Sequence, residues 1–311
     1  MATAKLLVLD PLTLIGREFL QRIEAVPGTA GHVDFRHTAA DEEHEIAEIG
    51  GDPALVPPLD DPTDLEGFDA VVVTSDAQSS RHDHVQAFAE ANPDAALVDV
   101  ARLECLRERT IASTGDTDPA LRHLRVAHPA LVAAARVVEV MAHYGRPGGT
   151  LAVADPVSAY GKDCVELLAL QATRRLQGTP VSDLMYGHLR AFNTVAVDSF
   201  DLQDEAAQLL PGLPLAVTRC LAGVFHGHLA HLGLDFADAL EPEMVRDALQ
   251  QAEGLELADF PLGLDTVVDN DRVLVAPFAL SADGRHLAMT MMADGLRLAA
   301  NTAVDILEAL V

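Results

Sequence analysis

The hydrophobic positions in the first third of the chain fall into short apolar runs separated by longer amphipathic stretches. Lys5 to Leu9 is nearly all apolar, the pattern of a strand buried on both faces. Gly16 to Glu24 has helical spacing and meets the stop signal Pro27-Gly28. Asp69 to Thr74, with Ala70-Val71-Val72-Val73 at its centre, is the clearest buried strand. Ser80 to Ala91 predicts an amphipathic helix opened by a serine cap, and Ala96 to Val100 a further strand. Strand and helix alternating over short connections predict a parallel, doubly wound sheet.

The pattern changes after about Leu124. Leu131 to Ala142 reads as a helix, Gly148-Gly149 leads into a strand from Thr150 to Ala154, and a long helix from Gly161 to Gln177 ends at Gly178. Ala216 to Phe225, His226 to Phe236, Arg272 to Ala276 and Leu287 to Met292 alternate with period two. These predict a mixed or antiparallel sheet with helices on one side. Asp294 to Val311 is apolar at Leu296, Ala299, Ala300, Val304, Leu307 and Leu310, an amphipathic closing helix. Ala39 to Gly51, rich in Asp and Glu, reads as a solvated loop or helix.

Composition narrows the function. A chain of 311 residues with 49% hydrophobic positions is long enough for two domains with real cores. Twenty-one Lys and Arg against forty-eight Asp and Glu give a net charge of -27, which repels phosphate backbones and anionic lipid. No nucleic-acid or membrane partner is expected. Cys105, Cys164 and Cys220 are scattered and odd in number, so no disulfide framework is read, in keeping with a reducing cytoplasm. No apolar stretch reaches membrane-spanning length, and the short apolar run at the N-terminus lacks a signal-peptide cleavage pattern.

Five segments, taken in order, resemble the aspartate-semialdehyde dehydrogenases, in particular their degenerate Usg-type relatives. Residues 5–19 resemble that family's opening strand, loop and helix. Ser158-Ala159-Tyr160-Gly161-Lys162 resembles its Ser-Gly-Ala-Gly-Lys segment, and Ala191-Phe192-Asn193 its Ala-Phe-Asn strand. Val224-Phe225-His226-Gly227-His228 resembles its Val-Phe-Val-Gly-His, and Ala293-Asp294-Gly295-Leu296-Arg297 its Ala-Asp-Asn-Leu-Arg. The resemblance implies an α/β fold: a Rossmann-like parallel-sheet nucleotide domain plus an α/β dimerisation domain of the glyceraldehyde-3-phosphate dehydrogenase-like type. The expected boundaries are 1–127 for the first domain, with the closing helix 294–311 returning to it, and 128–293 for the second. A homodimer is implied too.

The family's reaction needs a thiolate, a proton-moving histidine, and NADP to take the hydride. In Val126-Ala127-His128-Pro129-Ala130-Leu131-Val132-Ala133, Leu131 stands where the family keeps its nucleophilic cysteine. His228 matches the histidine and is the one catalytic-type residue kept. Asp155 replaces an orienting glutamine, and Leu221 replaces an arginine that grips the substrate carboxylate. Asp201-Leu202-Gln203-Asp204-Glu205 has no lysine where the family binds phosphate. In the nucleotide loop, Asp10, Thr13 and Gly16 align with three glycines, and Pro11 removes a backbone donor. Thr74 to Ser79 lacks the family's paired glycines, and Gly295 replaces an asparagine near the carboxamide. Thr13, Gly16, Ser158 and Gly161 are read as vestiges of the cofactor site. No cofactor is expected to bind tightly, and NADP is the one implied if any.

The cysteines and histidines raise two other chemistries. Cys164, near a helix start, reads as a half-buried structural cysteine. His226, His228 and His231 form a His-x-His-x-x-His pattern, but a strand would turn His231 away from the other two, so no metal site is expected. The expected function is a catalytically inactive, dimeric, cytoplasmic scaffold or binding protein with an unidentified protein or metabolite partner. The alternatives are a weak or rewired NADP-dependent oxidoreductase of amino-acid biosynthesis acting on an aldehyde, and a metabolite sensor.

Overall fold

A computed structural model describes residues 4–25, 32–39, 45–49, 52–76, 81–115, 118, 120–145, 148–182, 184, 187–259 and 261–311. The chain divides into two compact units, residues 1–127 with 299–311, and residues 128–298.

The first unit is built on β1 (Lys5–Leu9), α1 (Leu14–Ala25), β2 (His32–Arg36), β3 (Glu45–Ile49), β4 (Asp52–Val56), β5 (Ala70–Val73), α2 (His82–Ala91), β6 (Ala96–Asp99), β7 (Thr110–Ala112) and β8 (His123–Val126). Six strands form one sheet in the order β2-β1-β5-β6-β8-β7, and every pairing is parallel. The central strands are buried on both faces because both are covered. Leu6 and Val8 pack with Phe19 and Ile23 of α1 and with Ala300, Ala303 and Leu307 of the closing helix. Leu7, Leu9, Val71 and Val73 pack with Val85 and Phe88 of α2 on the other side. A parallel sheet with both faces covered explains the continuous apolar runs in the sequence.

Some local expectations are corrected. The acidic stretch is neither a loop nor a helix at its centre: β3 pairs antiparallel with β4. The Gly50-Gly51 pair between them lies outside the described residues and is itself a hairpin signal that the sequence reading did not use. The helix expected from Ser80 starts at His82, with Arg81 at its N-cap and no side-chain cap bond; Ser80 lies outside the described residues, as do Pro27-Gly28 and residues 77–79.

Asp99, at the end of β6, is fully buried. Burial pushes its carboxyl up to about 7, against the pull of Arg125 and of the Leu103 and Arg102 amides. A carboxyl whose pKa is raised by folding favours the folded state at low pH. That advantage is lost as pH rises from the unfolded value, about 4, to about 7. The unfolding constant is therefore expected to rise by up to about tenfold per pH unit over that window from this group alone. Denaturant titrations of Asp99→Asn across the window should show that part of the slope removed; an unchanged slope would refute the assignment.

The second unit follows with α3 (Pro129–Met141), β9 (Gly148–Asp155), α4 (Lys162–Leu176), β10 (Thr194–Val197), α5 (Phe200–Leu209), β11 (Leu215–Ala222), β12 (His228–Asp235), α6 (Pro242–Gln251), β13 (Leu255–Leu257), β14 (Val273–Val275), β15 (Ala279–Leu280), β16 (His286–Ala293) and the start of α7 (Gly295–Leu310). Its sheet runs β10-β11-β9-β12-β16-β14-β13, with β15 on β16, and mixes parallel and antiparallel pairs. Helices α3 and α5 lie against β12, β16 and β11. Leu151, Val153, Val217, Leu232, Met289 and Met291 of this sheet are buried. Alternate positions, Thr150, Ala152, Ala216, Thr218, His231 and Ala288, are exposed. This period-two split is what the alternating sequence predicted.

Two strand boundaries change the chemistry. The strand expected from His226 begins at His228; His226 precedes it, and Gly227 between them has φ 86. His226 and His228 therefore do not share a strand face. Ala191-Phe192-Asn193 is a turn with Phe192 at φ 60, and the strand starts only at Thr194.

Candidate functional site

Three buried polar residues of the second unit meet around one carboxylate group. Asp155 ends β9 and is fully buried. In the register of β9 against β12, Leu229 faces Ala154, so His228 falls opposite Asp155. The third member comes from a helix start. His128 is the N-cap of α3, followed by Pro129 at the first helical position, where its fixed φ suits the helix. Its Nδ1 accepts from the Ala130 amide at 3.2 Å, and its own amide donates to buried Glu205 of α5.

The Nε2 atoms of His128 and His228 lie 3.3 and 3.6 Å from Asp155 Oδ1. Neither contact has hydrogen-bond geometry, and Oδ1 has no hydrogen-bond partner among the described residues. The imidazole planes stand at 83° with centroids 5.3 Å apart. Oδ2 is held differently: Arg219 Nε donates to it at 2.6 Å and the Tyr160 hydroxyl at 3.1 Å. Arg219 Nη2 donates to the Tyr160 oxygen at 2.7 Å, and Nη1 reaches Asp201 at 3.3 Å. Burial alone would raise the Asp155 pKa, but the facing His128, His228 and Arg219 outweigh it and hold the carboxyl well below the usual range. For Arg219, desolvation is outweighed by Asp155 and Tyr160, so its pKa lies above the ordinary arginine value.

His228 fits because position 295 has no side chain. A Cβ on Gly295 would come within 2.0 Å of His228 Nδ1. The residue read as a lost asparagine is therefore also what makes room for this imidazole.

Leu131 is not part of this polar cluster's chemistry. It lies in the first turn of α3 and is fully buried. Leu221 is buried in β11, opposite Asp155. The arginine that does meet Asp155, Arg219, lies two residues earlier in the same strand, and the sequence reading missed it. Period two was the available signal, since it gives Arg219 and Leu221 the same side. His128 was also missed; the His-Pro pair at a helix start was its signal. Ser158 is buried in the turn before α4, its amide donating to Phe225, and Gly161 caps α4 at φ 94. Cys164 is half-buried beside Val157, Leu168 and Ala191.

Thr13 and Gly16 belong to the first unit. There Asp10 takes φ 58, the left-handed conformation a glycine would adopt freely. Its carboxylate accepts from the Thr38 amide at 2.7 Å, the Thr38 hydroxyl at 2.6 Å and the Ser75 hydroxyl. Thr13 Oγ1 donates to Thr74 O and accepts from the Gly16 amide at 3.0 Å. A Cβ on Gly16 would meet Asp10 O at 2.6 Å, so Gly16 serves the close approach of loop and helix. A pyrophosphate here would face a carboxylate, a proline without a donor and an amide already capped. These residues do not fit that group.

No family model matches the chain. The USG-1 protein homolog of Azotobacter vinelandii is 32% identical over 174 residues, 50% of this chain and 52% of that protein. Aspartate-semialdehyde dehydrogenase 2 of Vibrio cholerae is 29% identical over 175 residues, 50% of this chain and 51% of that protein. The chain thus spans about half the length of the curated relatives it matches. The fold match extends further. The crystal structure of aspartate semialdehyde dehydrogenase II from Vibrio cholerae complexed with ASA superposes with a TM-score of 0.86 at 17% identity, over 100% of this chain and 98% of that one. A probable aspartate-semialdehyde dehydrogenase from Pseudomonas aeruginosa gives 0.82 at 20% identity, over 99% and 98%. The resemblance read from the sequence, and the two-sheet α/β fold it implied, are borne out. No described helix is long and apolar enough to cross a membrane.

Proposed function

We propose that this aspartate-semialdehyde dehydrogenase-like protein does not carry the family's thiol-dependent reaction and serves instead as a homodimeric scaffold or binding protein. The observation that carries the reading is that Leu131, which the resemblance puts at the nucleophile's position, is fully buried in α3. A leucine side chain cannot attack an aldehyde, and here it is core. The rest of the site agrees. His228 is turned onto Asp155 rather than a thiol, the substrate-gripping arginine position is a buried leucine, and Arg219 is committed to Asp155 and Tyr160. The Asp10 loop supports the absence of tight NADP binding.

The homodimer rests on the second unit's sheet. Thr218, Ala152, His231 and Thr290 form a row across β11, β9, β12 and β16, with the first three exposed. A flat row of short side chains, nearly free of charge, suits pairing with a second copy. Ala152→Arg places a long cation in the middle of that row and is expected to yield monomers by size-exclusion chromatography with light scattering. A wild-type monomer, or a variant that stays dimeric, would remove the proposed interface.

The reading is tested by expressing the chain in a bacterial strain that lacks aspartate-semialdehyde dehydrogenase. Growth without the end products of that step should not return. Restored growth would reinstate an NADP-dependent oxidoreductase.

A further inference from the structure

We infer that His128, Asp155 and His228 form a binding site for one divalent transition-metal ion of the Zn2+ type. This goes beyond the reading above and does not depend on it. It also reverses the expectation of no metal, with a residue set that the His-x-His-x-x-His pattern did not suggest.

The donor set comes first. Two imidazole nitrogens and one carboxylate oxygen, all within 4.8 Å of one another, belong to residues 1%, 0% and 5% exposed. Two nitrogens and a carboxylate are the ligands of open zinc sites and of non-haem iron sites. The spacing comes second. Ligand bonds of about 2.1 Å in a tetrahedron put neighbouring ligand atoms about 3.4 Å apart. The two contacts to Oδ1, 3.3 and 3.6 Å, already have that spacing, so only the edge between the imidazoles has to adjust. The surroundings come third. Arg219 and Tyr160 fix Oδ2 and leave Oδ1 toward the imidazoles, the outer-shell arrangement that orients a ligating carboxylate.

One carboxylate and two neutral imidazoles are a donor set suited to a divalent ion. Three protein ligands would leave a coordination position for water or a ligand oxygen.

One contact opposes binding. His128 Nδ1 accepts from the Ala130 amide, which places the ring proton on Nε2. Coordination through Nε2 moves that proton to Nδ1 and breaks the cap. Loss of one helix cap lowers affinity by about five- to tenfold, which a buried three-ligand site outweighs.

The test uses the full chain, stripped with a chelator and titrated with Zn2+ and with Co2+. The expected result is one ion per chain and the visible absorption of Co2+ in low-symmetry, four-coordinate surroundings. His128→Asn keeps a side chain suited to the helix cap and removes the ligand. It should weaken binding by at least about a hundredfold, because outer-shell changes alone cost up to that much. His228→Asn is the second variant, should the first fail to fold. The double change His226→Ala, His231→Ala should bind like wild type. No saturable binding by the folded wild type would overturn the site, and so would unchanged affinity in both ligand variants. Loss of binding confined to the His226, His231 double variant would overturn it as well.

Discussion

Replacing Arg219 by leucine is expected to destabilise the second unit by about 3–5 kcal/mol, the usual consequence of removing one partner from a buried ion pair. The side chain is 12% exposed and its partner carboxylate is fully buried. Truncation leaves Asp155 without its 2.6 Å donor and also releases the Tyr160 hydroxyl. The loss measures an uncompensated buried charge rather than the net worth of the pair. The double variant Arg219→Leu, Asp155→Leu should therefore recover much of the stability, since hydrophobic replacements of buried pairs are often near neutral. Asp201→Asn, at the half-exposed end of the same guanidinium, should cost no more than about 1 kcal/mol. Urea unfolding of the three variants checks all of this. A single-variant loss below that of Asp201→Asn would mean that Arg219 is not the group holding Asp155.

Leu131→Ala is expected to cost about 2–5 kcal/mol, the range for truncating a buried leucine in a packed core. The prediction discriminates because a nucleophile position and a core position respond differently. A nucleophile has to be reached by substrate, and its replacement chiefly affects turnover. A fully buried leucine is there for packing. Leu131→Cys should likewise lose stability, through the smaller volume, without gaining dehydrogenase activity. On the proposed reading a thiol there would still face His228 held at Asp155 and Arg219 held by Asp155 and Tyr160. A Leu131→Ala loss under about 1 kcal/mol would indicate a position with room around it and would reopen the site reading.

The fold was legible where burial and period agree. Lys5 to Leu9 and Ala70 to Val73 are strands covered on both faces, and an unbroken apolar run leaves no other placement in a parallel sheet. The strands β9, β11, β12 and β16 were legible because one face is buried and the other exposed, which forces alternation. The β3–β4 pair was not, because the acidic residues just before and within it read as a solvated stretch, and the two strands form a separate two-stranded sheet.

The site was legible in part. The departures from the family pattern that the resemblance implies, Leu131, Leu221 and the Asp10 loop, were readable by position. The site's new contacts were not, because they depend on register. His228 meets Asp155 through strand pairing, Arg219 reaches it from the neighbouring strand, and His128 arrives from a helix cap far away in sequence. A one-residue slip in any of these strands would turn its member of the cluster to the other face. The resemblance aligned Asp155 with a lost glutamine, and only the packed structure gives that carboxylate its two imidazoles and its guanidinium.

The most direct measurement is phosphate-dependent NADP reduction with aspartate semialdehyde by purified wild-type chain, run beside an active aspartate-semialdehyde dehydrogenase. A signal indistinguishable from a no-protein control is predicted. Turnover within a few orders of magnitude of the active enzyme would contradict the account and show that another group does the work proposed to be lost at Leu131.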